Sequence, residues 1–506
     1  MKNESLKMNI DWRQHDIRWI AVAASLVLSS FTLIMQELPN SDAYTYARTS
    51  EIFLANGVIA AYQHYSWATY SILIGIVSST GLDVFSAGLF VNSIFYAILV
   101  YAFLSIIKEM NDSKPLLAIA AVCILVYPQL NEYRELLIRD IGFWALSLAA
   151  LWQYLIYVKA QSLHSIIISC SCLILAASFR AEALAYLAFT PLALLFDTRL
   201  KISARKALLI KMYAVVISLS TCLLIFLALM GLNAAQLFIE FTSIYEPFIS
   251  GNFTLNDGER ALLGSLLFTE YAATFSREYI EVFLLAGMIS ILLVNLLTGI
   301  SGPYLIILTI GLFKNQLRVN REIGIPIVFY LCINFLILLS FIIVTRYLSS
   351  RYAMLMCILL VLFVPGVVLN ILENAKASGR KSVPYIIAIF FSYCAIDSYF
   401  SFGESKSYVK DTIEWIAENT EGSAGLVTNN HAVAYFSGKV DDYDLVKRNL
   451  SEEEILSSEI GDTIVAELTF EMKSLLDNKT IAEKLNLLAY FPSAGTRRIA
   501  VFKRVN

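Results

Sequence analysis

Charged residues are scarce in this sequence. Of its 506 residues, only 16% are Asp, Glu, Lys or Arg, whereas 58% are hydrophobic. Soluble domains usually carry about 25% charged and 45–50% apolar residues. This composition therefore excludes an ordinary soluble fold and indicates a membrane protein that contacts lipid. The formal net charge of -3 leaves no sustained basic stripe, which excludes nucleic acid as a partner.

Histidine and cysteine are also few, and neither residue is arranged as a metal site or a disulfide framework. The four histidines are scattered without the spacing of zinc ligands. All seven cysteines fall in apolar runs, and we expect them to be small buried hydrophobic residues. The sequence therefore predicts no zinc site built by the protein. A hard divalent cation held by carboxylates stays open as a cofactor.

Apolar runs long enough to cross a bilayer recur along the first 400 residues. A crossing helix needs about 20 apolar residues, and the sequence predicts a polytopic α-helical membrane protein with about eleven spans. Their ranges are 17–36, 84–107, 115–130, 140–158, 163–179, 183–196, 210–230, 280–313, 323–344, 352–371 and 384–399. The run 280–313 is too long for one crossing, and we expect Ser301-Gly302-Pro303 to break it.

Lys and Arg are concentrated in five of the segments between these spans, which indicates how the chain is oriented. These segments are 108–114, 159–164, 197–211, 314–321 and 373–381. Because cytoplasmic loops carry an excess of Lys and Arg, we expect them to be cytoplasmic, as is the N-terminus. An odd number of spans then places residues 400–506 in the periplasm of a Gram-negative host, with the spans in the inner membrane. The first outer loop, 37–83, mixes aromatic and charged residues as interfacial helices do.

Beyond residue 400 the sequence takes on the pattern of a small α/β domain. Amphipathic segments predict helices at 405–419, 451–457 and 472–485, and short apolar segments predict strands at 425–429, 462–468, 488–491 and 498–502. This region has no glycine-rich phosphate loop, nucleophile elbow or Walker pattern, so we expect catalysis elsewhere. The sequence thus predicts two domains, 1–399 in the membrane and 400–506 outside it.

Ionisable residues at the predicted outer ends of the spans are candidates for function, because charge is costly to place there. This set comprises Asp42, Glu135, Arg139, Asp140, Arg180, Glu182, Arg346 and Arg351. Singly, such residues also serve as helix caps, interfacial anchors or salt-bridge partners. As a set, carboxylates opposite arginines provide a base and a clamp for an anion.

The order of these residues resembles that of the bacterial C-superfamily (GT-C type) of membrane glycosyltransferases, which includes protein mannosyltransferases and the aminoarabinose transferases of lipid A. The resemblance extends over the whole chain. It rests on Asp42 with Tyr44 and Tyr46, on a second acid before the fourth span (Asp140, with Glu135 as the alternative), on Arg180-x-Glu182, on Arg351-Tyr352 and on the α/β tail. Many members carry two adjacent acids in the first motif, whereas Asp42 has no acidic neighbour.

The resemblance implies a transferase that moves a sugar from a polyprenyl phosphate carrier to a glycan, lipid or protein acceptor at the outer face of the membrane. It makes Asp42 the general base, assisted by Asp140 either directly or through a divalent cation. Arg346 and Arg351 are then expected to bind the departing lipid phosphate, since guanidinium groups bind phosphate oxygens in pairs. The other candidates for substrate binding are Arg139, Arg180, Glu182, Tyr352, Tyr44, Tyr46, Glu135 and His64.

Two other functions are open at this point. An O-antigen or exopolysaccharide polymerase also has many spans, but it normally carries its arginines in large central outer loops, whereas the long polar segment here is terminal. A transporter of lipid-linked glycans tends to show internal repeats and broken, charged helices at mid-membrane. The sequence shows no such repeat, and its charges lie at one face, which disfavours transport.

Overall fold

The computed structural model describes residues 16–35, 38–243, 246, 257–269, 272, 275–276, 279–317, 319–399, 406–420 and 424–505. The chain divides into two compact units. Unit 1 comprises Met1–Ile34, Leu89–Glu135 and Arg139–Phe400, and unit 2 comprises Met35–Gly88, Leu136–Ile138 and Ser401–Asn506. Unit 2 thus combines the tail with two earlier segments, and the predicted division at residue 400 stays a prediction.

The described residues include eight helices that are long and apolar enough to cross a membrane. They are Ile17–Ile34, Val84–Met110, Asp140–Ala160, Ile202–Leu229, Ile280–Ile300, Arg321–Thr345, Ser350–Ala377 and Ser382–Tyr399. A bent pair, Lys114–Leu125 with Pro128–Glu135, makes a ninth if it forms one span. The prediction of a multi-pass helical membrane protein is confirmed.

Two of the eleven predicted spans correspond to helices that are short for a bilayer crossing. The helix Leu163–Ala177 has only 15 residues, and Ala183–Phe189 has seven before the chain tightens into a 3-10 helix, Thr190–Phe196. Pro191 opens this 3-10 segment, where it removes a backbone donor that a continuing α-helix would use. Both helices fall short of the roughly 20 residues that one bilayer crossing requires.

The long apolar run 280–313 breaks where the sequence predicts. The helix Ile280–Ile300 ends at Ser301, whose φ of 68° lies in the left-handed region. A second helix, Gly302–Phe313, begins immediately with Pro303 in its first turn. Because proline fixes its own φ and lacks an N–H, it is tolerated at a helix start but not within one. The expected break at Ser301-Gly302-Pro303 is confirmed.

The helices of unit 1 differ greatly in how far they are buried. Most side chains of Asp140–Ala160 are buried, whereas Ile202–Leu229 buries only Met212. Apolar helices that expose large apolar side chains are suited to lipid rather than to water. Cys222 and Cys332 are likewise exposed, so the prediction that all cysteines are buried is wrong. A thiol behaves as a small hydrophobe, which lipid accommodates.

The tail of unit 2 folds around a four-stranded sheet. Its strands are β1 (Leu426–Thr428), β2 (Thr463–Glu467), β3 (Leu485–Phe491) and β4 (Ile499–Arg504). Their order is β1-β2-β4-β3, with β1 parallel to β2 and the other neighbours antiparallel. Four short predicted strands are therefore confirmed, and the tail is a small α/β domain.

Short helices surround this sheet, and the sequence predicted only some of them. The helices Ser407–Asn419 and Glu452–Leu456 lie in predicted ranges, although 405 lies outside the described residues. The single predicted helix 472–485 is wrong, because Phe470–Leu476 ends before Asn478, whose side chain accepts from Thr480 N and starts a new helix, Lys479–Ala482. A helix at His431–Ser437 was not predicted.

The first outer loop supplies the remaining helices of unit 2. They are Ser41–Asn56, Val58–His64 and Thr69–Ser78, as the mixed aromatic and charged pattern predicts. Gly57, at a φ of 88°, separates the first two. Asn40 exchanges two hydrogen bonds with the backbone of Leu137, at 2.8 and 3.1 Å. Tyr44 packs in one core cluster with Val433, Val465 and other apolar residues of the tail.

Asn429 should be critical for the stability of the tail. Its amide donates to the carbonyls of Arg448 and Glu467, both at 3.0 Å, and accepts from Glu467 N at 2.6 Å. Asn429→Ala removes the partner of the Arg448 carbonyl and of the Glu467 N–H, while the Glu467 carbonyl still accepts from Thr469 N at 2.9 Å; we expect this loss to cost about 3 kcal/mol. Hydrogen–deuterium exchange of β2 should become faster, while Asn486→Ala, at an exposed position of β3, should leave it unchanged. Equal exchange in the two variants would contradict this account.

Candidate functional site

Arg180 lies at the centre of a buried charge cluster in unit 1. Its Nη1 donates to Asp140 Oδ1, and its Nε and Nη2 donate to Glu182 Oε1 at 3.2 and 2.5 Å. Arg180 is only 7% exposed and Asp140 only 3%. One guanidinium therefore joins two carboxylates, one at the start of the helix Asp140–Ala160 and one just before Ala183–Phe189.

Aromatic rings complete the surroundings of this guanidinium. Its central carbon lies 4.2 Å from the ring centroid of Tyr352 and 6.0 Å from that of Phe143. Tyr352 is itself packed edge-on against Phe341, with centroids 5.0 Å apart. A cation over an aromatic face is stabilised most where water is excluded. Arg180 is thus held by carboxylates and by a ring from a third helix.

Two further arginines contribute positive charge to the same cluster. Arg139 and Arg351 both interact electrostatically with Asp140, and Arg139 also interacts with Glu182. Arg351 lies on the same helix as Tyr352, and its guanidinium is 5.3 Å from that ring. Three arginines thus place positive charge around two carboxylates, an arrangement suited to bind an anion.

The space beside Arg180 is small. A cavity of about 20 Å³ touches Arg180, Glu182, Tyr352 and Asn334, which is room for about one water molecule. Asn334 donates to the hydroxyl of Tyr186. The centre of the cluster is therefore closely packed, and any substrate group would meet its outer arginines first.

The structure brings together most, but not all, of the predicted residues of unit 1. Those in the cluster are Arg139, Asp140, Arg180, Glu182, Arg351 and Tyr352. Arg346 is exposed and ends the helix Arg321–Thr345 in a left-handed conformation, with a φ of 54°. Glu135 is exposed at the end of the 3-10 helix Tyr133–Glu135. Of the two candidates for the second acid, Asp140 is the buried one.

The other predicted residues belong to unit 2. Asp42 lies in the first turn of the helix Ser41–Asn56 and is half-buried. Tyr44 stacks on His431 with centroids 5.7 Å apart, and Tyr46 lies edge-on against Tyr70 at 4.9 Å. That Asp42 and Asp140 act at one site stays a prediction, because they belong to different units.

His64 has a partner that the sequence could not reveal. Its Nε2 lies 2.8 Å from Asp444 Oδ2 in the tail, and the Asp444 side chain is almost fully buried. Nearby in the chain, Tyr443 donates from its hydroxyl to Glu51 at 2.9 Å. Burial and the neighbouring carboxylate of Glu51 raise the pKa of Tyr443. His64 therefore joins the first outer loop to the tail, together with Glu51.

Sequence reasoning missed Arg134, which is 2% exposed in unit 1. It donates to Ser29 Oγ at 2.6 Å and to Asn131 Oδ1 at 3.2 and 3.3 Å, and lies 4.1 Å from the ring centroid of Tyr96. These partners are neutral. Ser25 and Ser29, four residues apart in the first span, both face Arg134. This serine pair is the signal that could have indicated a buried polar partner.

The residues around Asp140 do not fit a divalent cation. A hard cation requires several oxygen ligands, but Asp140 accepts from Arg180. Within the part of the chain that the structure describes, no three His, Cys, Asp or Glu side chains come together as a metal site.

Comparison with known proteins identifies the fold. No family model matches the chain, and no curated protein sequence matches it significantly. Among solved structures, the archaeal oligosaccharyltransferase AglB from Archaeoglobus fulgidus, in complex with an inhibitory peptide and a dolichol-phosphate, matches at a TM-score of 0.52 and 12% identity, over 97% of this chain and 74% of that one.

ArnT from Cupriavidus metallidurans, bound to undecaprenyl phosphate, gives the same TM-score of 0.52 at 11% identity, over 96% of this chain and 97% of that one. Its apo structure matches at 0.51. At such low identity the likeness concerns the fold alone. The chain shares the fold of AglB and ArnT, which agrees with the fold that the resemblance implies.

Proposed function

We propose that this protein is a membrane glycosyltransferase that moves a sugar from a polyprenyl-phosphate donor to an acceptor glycan, lipid or protein. We place the reaction at the periplasmic face of the inner membrane, in the synthesis of cell-envelope polysaccharide or glycolipid. The observation that carries this proposal is the buried cluster of Asp140, Arg180 and Glu182, flanked by further arginines. It occurs in the fold of AglB and ArnT, whose structures hold dolichol-phosphate and undecaprenyl phosphate.

The proposed reaction is a single displacement. An acceptor hydroxyl oxygen attacks the anomeric carbon, and the bond from that carbon to the phosphate oxygen breaks with its electron pair going to the lipid phosphate. Asp42 takes the acceptor proton as general base. The departing phosphate gains negative charge, and preorganised guanidinium groups stabilise this charge most effectively where little water is present.

The charge cluster supports a role in binding the phosphate. A guanidinium has five N–H donors, and Arg180 uses its Nε, Nη1 and Nη2 atoms, one bond to Asp140 and two to Glu182. Both Nη atoms carry a second hydrogen, but the space beside Arg180 holds only about one water molecule, so a phosphate would contact the outer arginines instead. Arg139 and Arg351 add positive charge beside Asp140. We propose that Arg351 makes the paired contact with the phosphate, with Arg346 as a further candidate.

Asp42→Asn should abolish transfer. As general base, Asp42 should contribute at least about 100-fold to the rate, whereas the amide keeps its size and position at the helix start. The measurement is release of free polyprenyl phosphate by the purified full chain, supplied with polyprenyl-phosphate sugars and an extract of envelope acceptors. Glu51→Gln, on the same helix, should retain activity, since Gln still accepts from Tyr443. Full activity in Asp42→Asn would remove this residue from the mechanism.

Arg351→Lys should weaken donor binding. Lysine keeps the positive charge but loses the paired geometry with which arginine binds phosphate oxygens. We expect the Kd for polyprenyl phosphate, measured by titration of the purified protein, to rise about tenfold. The matched control is Arg380→Lys, at an exposed position after the helix Val364–Ala377. An unchanged Kd in Arg351→Lys would make Arg351 an interfacial anchor instead.

The proposed orientation can be tested with an enzyme that folds only outside the cytoplasm. Alkaline phosphatase depends on disulfides, which form in the periplasm. We expect it to be active when fused after residue 506 and inactive when fused within 314–321, the basic segment before the helix Arg321–Thr345. Cytoplasmic behaviour of the fusion after residue 506 would contradict both the periplasmic tail and the odd number of spans.

A further inference from the structure

Unit 2 contains a polar cleft. It has a volume of about 510 Å³ and is lined by the start of the helix Ser41–Asn56 and by the tail. Small-molecule sites usually measure about 300–1,000 Å³, so the cleft can hold a sugar unit. The cleft includes Ser41, the residue before Asp42. We call this cavity the acceptor cleft.

Two cations line the acceptor cleft. Lys406 and Arg448 are both exposed, and within the described residues neither forms an ion pair. The carboxylate that lines the cleft is that of Glu467, whose Oε2 accepts from Asn430 at 2.8 Å. Among the described lining residues, two cations against one acid leave a positive excess, and this charge balance favours an anionic ligand.

The start of the helix Ser41–Asn56 adds to this positive charge. Asn40 occupies the N-cap position but makes no capping hydrogen bond, because its side chain is bound to the backbone of Leu137. The first N–H groups of a helix carry partial positive charge and attract anions. Asp42 in the first turn partly offsets this charge.

Tyr44, which lines the acceptor cleft, carries a buried hydroxyl. Tyr44 is 1% exposed, and its hydroxyl has no hydrogen-bond partner within the described residues. Burial raises the pKa of Tyr44, so the hydroxyl stays protonated at neutral pH. A buried polar group without a partner is costly, and a ligand hydroxyl could supply that partner.

His431 offers a second such group. Its Nδ1 lies 2.9 Å from the carbonyl oxygen of Tyr443. A carbonyl oxygen can only accept, so the proton is on Nδ1 and the Nε2 of the neutral ring is an acceptor. The stacked rings of Tyr44 and His431 thus present one donor and one acceptor, as a sugar with several hydroxyls requires.

The frame of the acceptor cleft is rigid. Asn430 accepts from Ala432 N and Val433 N and donates to Glu467. Asn429 fixes the neighbouring backbone of Arg448. Groups held in place by such bonds lose little entropy when a ligand binds.

We propose that the acceptor cleft binds an acidic sugar of the acceptor, with its anionic group on Arg448 and Lys406 and its hydroxyls on Tyr44 and His431. This proposal rests on the proposed transferase function and names the chemistry of its acceptor: a sugar that bears a carboxylate group. Ser41 lines the cleft and Asp42 is the next residue, so an acceptor bound in the cleft would lie close to the proposed base.

The test is calorimetric titration of the full chain in detergent with three probes: glucuronate, glucose and inorganic phosphate. We expect glucuronate to bind at least about tenfold tighter than either of the others. Arg448→Gln should weaken glucuronate binding about tenfold or more. Lys447→Gln is the matched control, because it removes the same charge one residue earlier, from a lysine that pairs with Glu454 at 2.8 Å and does not line the cleft.

Tyr44→Phe separates a sugar site from a simple anion site. The ring and its stacking on His431 are kept, and only the hydroxyl is lost. We expect several-fold weaker binding of glucuronate and no change for phosphate. Phosphate binding as tightly as glucuronate, or equal glucuronate binding in Arg448→Gln and Lys447→Gln, would overturn the proposal.

This test does not depend on turnover, so it can fail independently of the proposed function. Asp42→Asn should still bind glucuronate while it transfers no sugar. Binding without any transferase activity in the unmodified protein would leave the cleft in place and refute the transferase. Transfer without glucuronate binding would refute the acidic-sugar cleft alone.

Discussion

A guanidinium held between two carboxylates in apolar surroundings constrains the rest of unit 1. Removing one partner of such a buried pair costs about 3–5 kcal/mol, because it leaves a charge without compensation. Arg180, Asp140 and Glu182 must therefore stay together, and the helices that carry them cannot slide apart. Gly142 makes this approach possible, since a β-carbon there would lie 2.7 Å from the ring of Phe179, the neighbour of Arg180.

The same constraint would favour the proposed catalysis. A phosphate that gains charge in the transition state is best stabilised by groups that need not reorganise. Arg180 is held by its acids and by the ring of Tyr352, so its position is set before any substrate binds. Arg139 and Arg351 add charge to a frame that is already fixed. The acids of the cluster thus position a cation as well as carrying charge of their own.

Composition and the positions of charged residues predicted much of this molecule, whereas contacts between residues far apart in the sequence could not be predicted. Asp140, Arg180 and Glu182 could be grouped because charges at span ends are rare. The partners of Arg134 could not be predicted in this way, since Ser29 is 105 residues away from it in the sequence. Helix lengths near Pro191 and the break before Asn478 depend on local capping. The cleft residues Lys406, His431 and Arg448 come together only through the order of the sheet and a helix that the pattern did not reveal.

The two proposed binding regions differ in what they can discriminate. Arginines in an apolar setting bind any phosphate of suitable size, so under the proposed function the cluster around Arg180 would recognise the carrier's charge rather than the sugar. A site that matches hydroxyls one by one rejects ligands that leave its buried groups unpaired. Tyr44 and His431 offer such matching, with the cations of Lys406 and Arg448 beside them. Selectivity for the acceptor should therefore reside in unit 2, and generic binding of the lipid phosphate in unit 1.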